Sequence, residues 1–354
     1  MILGGLLPAG LAVLFSLYLA PILIAAANRY GIVDKPKPPL KLHGAPVAYL
    51  GGLVVFAAFL LSLALTFPFD QRVLAILLCA SLVVAVGLVD DLGTLIPRDK
   101  FIGQLIAAFV LVKAGVKIDI AALPSPVDEL ASVLWMTTCM NAFNIVDVSD
   151  GLATTAGLVG SLGAGVVAVV NDEPLVASMS AALFGACLGF LRVNRQPARM
   201  YLGDTGSMLL GAMLGALAMV GEYSRTNVVS AWFVPLCLCA IPLFDLVLVI
   251  VARLRARRRV YHGSPDHFAV RLRHHGRGAR FTANVAGAIG VLVVGVGVWS
   301  TRLDDAGATL VFSATVVALL SLLSFVLWRL PPRPVTAAAT APAATLPEPA
   351  SLPP

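Results

Sequence analysis

Gly87-Leu88-Val89-Asp90-Asp91-Leu92-Gly93 puts two adjacent carboxylates at the end of a long apolar run. Residues 73–89 carry no charge, and an ionised side chain left in hydrocarbon costs on the order of several kcal/mol. The pair therefore marks the end of a membrane segment, and the remaining chain reads as a way of holding it at a membrane face. Neighbouring carboxylates repel, so they stay ionised only with cations close by. A hard divalent ion that prefers oxygen ligands is the natural one. A solvated helix terminus would show the same two acids, and the pair alone does not decide between these readings.

The chain of 354 residues is 59% hydrophobic and 12% charged, with a mean hydropathy of +0.92. That composition excludes a soluble domain. Stretches long enough to cross a hydrocarbon layer of roughly 30 Å as helices fall at 3–27, 47–67, 72–89, 101–117, 130–146, 154–170, 175–191, 207–221, 230–252, 282–300 and 309–328. The expected fold is an all-α polytopic membrane protein with about eleven transmembrane helices. Residues 1–330 form one integral membrane domain, with no repeat or second soluble domain. Residues 331–354, mostly Pro, Ala and Thr, read as a disordered cytoplasmic tail. The first span lacks a basic leader and runs into Asn28-Arg29-Tyr30 without a small-residue cleavage site, so it reads as retained.

Lys and Arg accumulate in cytoplasmic loops. With the N-terminus outside, 20 of the 25 Lys and Arg residues fall on the cytoplasmic side, leaving Arg72, Lys113, Lys117, Arg225 and Arg302 opposite. All five histidines lie in cytoplasmic loops on this reading, and all five cysteines lie inside apolar spans without metal-ligand spacing. No disulfide and no nucleic-acid partner is expected. The basic excess belongs to one membrane face, where the active loops are expected.

Four further stretches gather polar groups on that face. The Pro-rich first loop, with Asp34, Lys35, Lys41 and His43, is extended and constrained, and its cations suit a phosphate or anionic headgroups. Lys100, just before the fourth span, could neutralise a diphosphate or merely follow the positive-inside bias. Asn141, Asn144 and Asp147 recur every three residues, with Asp150 continuing the row. Such a polar row on a membrane helix either binds something or packs against other helices through amide hydrogen bonds. The loop Arg192–Ser207 ends in Gly203-Asp204-Thr205-Gly206-Ser207 entering a helix, where free N–H groups attract anions and Asp204 can hold a cation. Asp245 lies inside the ninth span after Pro242 without an evident role, and His267 beside Asp266 is placed to bind a phosphate or move a proton.

Taken together, GIVDKP with Leu50-Gly51-Gly52, VDDLG, NAFNIVDVSDGLA, PARMYLGDTGSMLLG and SPDHFAVRL resemble the polyprenyl-phosphate N-acetylhexosamine-1-phosphate transferase family over about residues 28–275. The resemblance implies transfer of a sugar 1-phosphate, most often N-acetylglucosamine 1-phosphate, from a UDP-sugar to undecaprenyl phosphate with release of UMP. It places the enzyme in the bacterial inner membrane with its site on the cytoplasmic face, at the first membrane step of an envelope glycan, and allows a homodimer. It implies Mg²⁺, with Mn²⁺ as an alternative, held chiefly by Asp91 and Asp204. Asp90, Asp91, Asp204 and His267 match the family's catalytic positions. Lys35, Lys100, Asn141, Asn144, Asp147, Asp150 and Tyr201 match its substrate-binding ones, with Tyr201 beside the uracil. Two departures stand out: Val148 where a glycine commonly follows the first acid, and Ala269-Val270 where the sugar-1-phosphate branch often has two more histidines. The histidine-rich motif of the muramoyl-pentapeptide branch is absent.

The chemistry fits the residues. Displacing UMP needs a cation on the phosphates, an in-line acceptor, and a site where a membrane lipid and a water-borne nucleotide meet. The acceptor phosphate is already charged, so Asp90 serves either as a base or as a group that orients the lysine or metal. Other UDP-amino sugars or phospho-N-acetylmuramoyl-pentapeptide are alternative donors. The rival from another class is a secondary transporter, whose acids belong near the middle of broken helices; here most acids gather at span ends.

Overall fold

The computed structural model describes residues 2–34, 46–93, 95–118, 126–221, 228–258, 266–303 and 305–329. Lys35, Lys41, His43 and the 331–354 tail lie outside the described residues. Among those described there are thirteen helices: α1 (Ile2–Tyr30), α2 (Gly51–Thr66), α3 (Gln71–Asp91), α4 (Pro97–Lys113), α5 (Val127–Val146), α6 (Leu152–Val170), α7 (Pro174–Asn194), α8 (Gly203–Val220), α9 (Val228–Leu238), α10 (Ala240–Arg255), α11 (Phe268–His274), α12 (Ala279–Ser300) and α13 (Ala306–Arg329). Helix is the structure that satisfies every backbone group of a lone chain segment without water.

Every stretch expected to span contains a helix, but the count of eleven spans is not confirmed. Among the described residues seven helices are long and apolar enough to cross a membrane, or eight if the pair Val229–Leu238 and Ala240–Arg255, bent by 82°, is one span. The others fall short for visible reasons. Helices α2 and α4 have 16 and 17 residues. Helix α5 has 20, and Asp128, Glu129, Asn141 and Asn144 lower its hydropathy. The bend follows Cys239, where Pro242 in the first turn of α10 has no N–H to continue the ladder from α9.

Helix α8 is the axis of the molecule. Residues 205–218 are all buried, as expected of a helix that is apolar or small on every side. Helices α2, α3, α5 and α6 pack around it, and α7 joins α6 to α1. Glycines permit the close approach: a Cβ on Gly87 of α3 would stand 2.4 Å from Thr205 Cα, and one on Gly52 of α2 would stand 2.3 Å from Gly206 N. By contrast α13 buries only Thr309 and Leu327, and the outer faces of α1 and α13 are largely apolar and exposed. This multi-pass bundle presents those faces to lipid.

Local signals fix the helix ends near the site. Asp70 caps α3 by accepting Val73 N–H at 2.8 Å, and Pro97 and Asp99 open α4. A two-stranded antiparallel ribbon, β1 (Val33–Asp34) with β2 (Val47–Ala48), pairs Val33 with Ala48 and Asp34 with Val47. Ala48 also bridges to Met200, and Tyr201 N–H donates to Ala48 O at 2.8 Å. That ribbon ties the first loop to the chain entering α8.

Candidate active site

The C-terminus of α3, the N-terminus of α8, the turn after α5, the β ribbon and α11 meet around a cavity of about 850 Å³. Its lining includes Asp34, Tyr49, Asp90, Asp91, Asn144, Asp147, Ser149, Asp150, Tyr201, Asp204 and Arg273. Groups far apart in sequence converge because α3, α5 and α8 end at one level beside one another.

Asp91 holds the start of α8. Its Oδ1 accepts Asp204 N–H at 2.7 Å, and its Oδ2 accepts Thr205 N–H at 3.0 Å and the Thr205 hydroxyl at 2.6 Å. These are donors that a helix N-terminus leaves unsatisfied, and a carboxylate supplies both acceptors and a favourable charge there. Gly203 stands at φ +74°, where a Cβ would lie 2.7 Å from Asp91 Oδ2, so only glycine admits this approach.

Lys100 forms a second centre. Its Nζ lies 2.7 Å from Asp90 Oδ2 and 3.1 Å from Asp204 Oδ1, and donates to Asn144 Oδ1 at 3.2 Å. Asn144 Nδ2 in turn donates to Asp204 Oδ1 and to Ser207 Oγ. One ammonium thus gathers the end of α3, the start of α4, the end of α5 and the start of α8. Asp90 is engaged as the partner that holds Lys100.

Asp147 follows the last residue of α5 and faces the cavity. Burial, reinforced by the charges of Asp204, Asp91 and Asp150, pushes its carboxyl up to about 8. Asp150 Oδ2 accepts Ala198 N–H at 3.2 Å, joining the two loops. Tyr201 and Tyr49 stand with ring centres 6.1 Å apart, and burial together with Asp150 and Asp34 raises the Tyr201 phenol to about 12, so it stays neutral.

Two expected site residues are elsewhere. Asn141, one turn deeper in α5, is not among the cavity lining. It donates to Gln104 Oε1 at 2.7 Å and to Thr137 O at 2.8 Å, and Gln104 contacts Met208 at 3.0 Å. It fulfils the alternative reading of a polar row, helix packing through amides. His267 is buried, with Nδ1 2.7 Å from Asp245 Oδ2, while Phe268 N–H donates to Asp245 Oδ1 at 3.0 Å. Asp245 thereby gains its role as the anchor of α11, and His267 does not line the cavity. Conversely, Asp34, Tyr49, Ser149 and Arg273 line it although the sequence reading did not single them out as site residues. The sequence signal for Asp34 and Tyr49 was their place on either side of the Pro-rich loop; Arg273 had none to set it apart from its neighbours.

Among the described residues the lining offers carboxylate, amide and hydroxyl oxygens and neither thiolate nor imidazole, a donor set that fits a hard divalent cation. Among the described residues no three His, Cys, Asp or Glu side chains form a ready metal cluster.

The cavity is rich in carboxylates and lies at the ends of apolar helices. The profile of glycosyl transferase family 4 matches residues 73–222, which run from α3 through α8 and contain Asp90, Asp91, Lys100, Asn144, Asp147, Asp150 and Asp204. The chain is 29% identical over 285 residues to the probable undecaprenyl-phosphate N-acetylglucosaminyl 1-phosphate transferase of Bacillus subtilis, covering 78% of this chain and 79% of the relative. It is 33% identical over 293 residues to the decaprenyl-phosphate N-acetylglucosaminephosphotransferase of Mycobacterium tuberculosis, covering 72% of each. A phospho-N-acetylmuramoyl-pentapeptide-transferase of Moorella thermoacetica is 29% identical over 288 residues, covering 73% of this chain and 87% of the relative. The chain belongs to glycosyl transferase family 4 and is a phosphoglycosyl transferase that uses a polyprenyl-phosphate acceptor in the membrane.

Proposed function

We propose that this enzyme transfers N-acetylglucosamine 1-phosphate from its UDP donor to undecaprenyl phosphate at the cytoplasmic face of the inner membrane, releasing UMP in a Mg²⁺-dependent reaction. The observation that carries the reading is the convergence of Asp90, Lys100, Asn144 and Asp204 on one centre at the membrane-side end of three apolar helices. A phosphoryl transfer needs positioned cations and an in-line nucleophile more than covalent help from the protein. Lys100 supplies a fixed positive charge there. Asp90 orients it, which favours the positioning role for Asp90 over that of base.

Mg²⁺ would be held at Asp204, the carboxylate that Lys100 and Asn144 share; bound there it would polarise phosphoryl oxygens and neutralise charge developing on the leaving UMP. Asp91, expected as the other ligand, already accepts three hydrogen bonds from α8 and acts first to hold Asp204 in place. Tyr201 and Tyr49 offer neutral aromatic faces to the uracil. The acceptor phosphate arrives ionised, so attack needs no strong base. The two N-acetylglucosamine-phosphate transferases among the relatives support that sugar, and the absence of a histidine-rich last motif weighs against the muramoyl-pentapeptide. The Lys and Arg bias of the loops supports the cytoplasmic face.

The donor is tested by mass spectrometry of the lipid product after incubating purified enzyme with undecaprenyl phosphate, Mg²⁺ and, separately, UDP-N-acetylglucosamine, UDP-N-acetylgalactosamine and UDP-N-acetylmuramoyl-pentapeptide. Lipid diphosphate bearing N-acetylglucosamine is the expected product. Product with only one of the other donors would replace the sugar and keep the reaction.

A further inference from the structure

Among the described residues the cavity lining carries six carboxylates, Asp34, Asp90, Asp91, Asp147, Asp150 and Asp204, and one cationic side chain, Arg273. A substrate with phosphates cannot enter so negative a space without compensation. Lys100 is not part of that lining, and its ammonium is shared among Asp90, Asp204 and Asn144. We propose that Arg273 binds a substrate phosphate in this cavity, either in the nucleotide diphosphate or on the polyprenyl phosphate. The inference rests on the transferase reading for which phosphates are present, and on the geometry below for the residue.

Arg273 is exposed at the cavity. It donates from Nη2 to the neutral carbonyl of Val148 at 3.3 Å, and among the described residues it forms no ion pair. A guanidinium has five N–H donors in a planar fork matched to phosphate oxygens, so most of that capacity is uncommitted. The contact with Val148 sets it over the Asp147–Asp150 turn, and its charge is felt by the Tyr201 phenol across the cavity.

A helix of seven residues does not hold its own position, and α11 is pinned from two sides. Asp245 of α10 takes His267 Nδ1 and Phe268 N–H at 2.7 and 3.0 Å. Buried Arg271 pairs with Asp266 Oδ1 at 3.1 Å and reaches the last carbonyls of α13, Leu327 O and Trp328 O, at 3.5 Å each. Two residues along, Arg273 is left facing the cavity from a fixed base. The buried pair thus sets where the exposed cation stands, which is the preorganisation that a phosphate contact requires.

The test is isothermal titration of the full-length protein in detergent with UDP, uridine and a short-chain polyprenyl phosphate, comparing the parent with Arg273→Ala and Arg273→Lys. Removing a charged hydrogen-bond donor should weaken one phosphate ligand by roughly tenfold or more, leave uridine binding and melting temperature unchanged, and be partly restored by lysine, which keeps the charge and loses the fork. Loss with UDP assigns the contact to the donor, and loss with polyprenyl phosphate assigns it to the acceptor. Unchanged affinity for both overturns the inference, as does a parent that binds neither, or a uridine loss as large as the UDP loss. Because binding is read, a parent that binds UDP yet turns over no donor would defeat the transferase reading and leave the assignment of Arg273 standing.

Discussion

Asp91 caps the helix that begins with Asp204: its Oδ1 accepts the Asp204 backbone N–H at 2.7 Å, while its Oδ2 takes both donors of Thr205. One acid of the expected metal pair is therefore a joint between α3 and α8, and the other is the group that joint presents. The two should fail differently when removed. Asp91→Ala strips three hydrogen bonds from a partly buried helix start and is expected to cost roughly 1–3 kcal/mol of stability as well as activity. Asp204→Ala is expected to abolish turnover with a smaller fall in melting temperature, since Lys100 keeps Asp90. Equal melting temperatures for Asp91→Ala and the parent would show that the cap carries no weight.

Close packing of α3 on α8 gives a second expectation. A methyl on Gly87 would press into the Thr205 backbone at 2.4 Å, whereas one on Gly10 would meet nothing within 4 Å. Gly87→Ala should cost roughly 1–3 kcal/mol by overpacking and displace Asp204 enough to lower turnover. Gly10→Ala, in α1, should be neutral or slightly stabilising. Thermal melts of both variants in detergent check this, and a Gly87→Ala protein as stable and active as the parent would contradict the tight joint.

Asp147 offers a pH test. Its carboxyl sits at about 8 in the folded protein against an ordinary 3.8. Below the lower value both states are protonated and folding pays no penalty. As pH rises between the two, the unfolded chain loses a proton that the folded one keeps, so stability falls until about pH 8 and then levels. Asp147→Asn carries no such penalty. In metal-free buffer its melting temperature should pull ahead of the parent's between about pH 5 and about pH 8 and run parallel above. A gap that does not change with pH would refute the assignment.

The buried pair of His267 and Asp245 separates a positioning role from a catalytic one. His267 and Asp245 have side chains 7% and 0% exposed, and removing one partner of such a pair typically costs on the order of 3 kcal/mol. His267→Ala should therefore melt well below both the parent and Arg273→Ala. If it kept its melting temperature and lost only turnover, His267 would be a catalytic residue after all.

Much of this arrangement is legible in the sequence because a membrane makes polar residues conspicuous. Asp90, Asp91, Asn144, Asp147, Asp150 and Asp204 each stand where an apolar run stops, and each lines the cavity. Asn141 shares their three-residue period but lies one turn into the bundle, and a period does not reveal depth; Gln104, 37 residues away, claims its amide. Likewise Asp245 and His267 are each visible as unusual, but no local pattern links positions 22 residues apart. Pro242 hints at the 82° break between α9 and α10 without giving its angle. Arg273 is one of nine arginines between residues 253 and 280, and only the placement of α11 distinguishes it. The number of spans is less legible, since helices of 16 or 17 residues, such as α2 and α4, fall at the margin of the length that crosses a membrane.

The most direct measurement is UMP release by the purified protein supplied with undecaprenyl phosphate, UDP-N-acetylglucosamine and Mg²⁺, alongside Asp204→Ala and a reaction containing chelator. UMP that requires the lipid, the metal and Asp204 is the expected result. Release that persists without the lipid acceptor, or at the parent rate in Asp204→Ala, would contradict a phosphosugar transfer centred on this carboxylate.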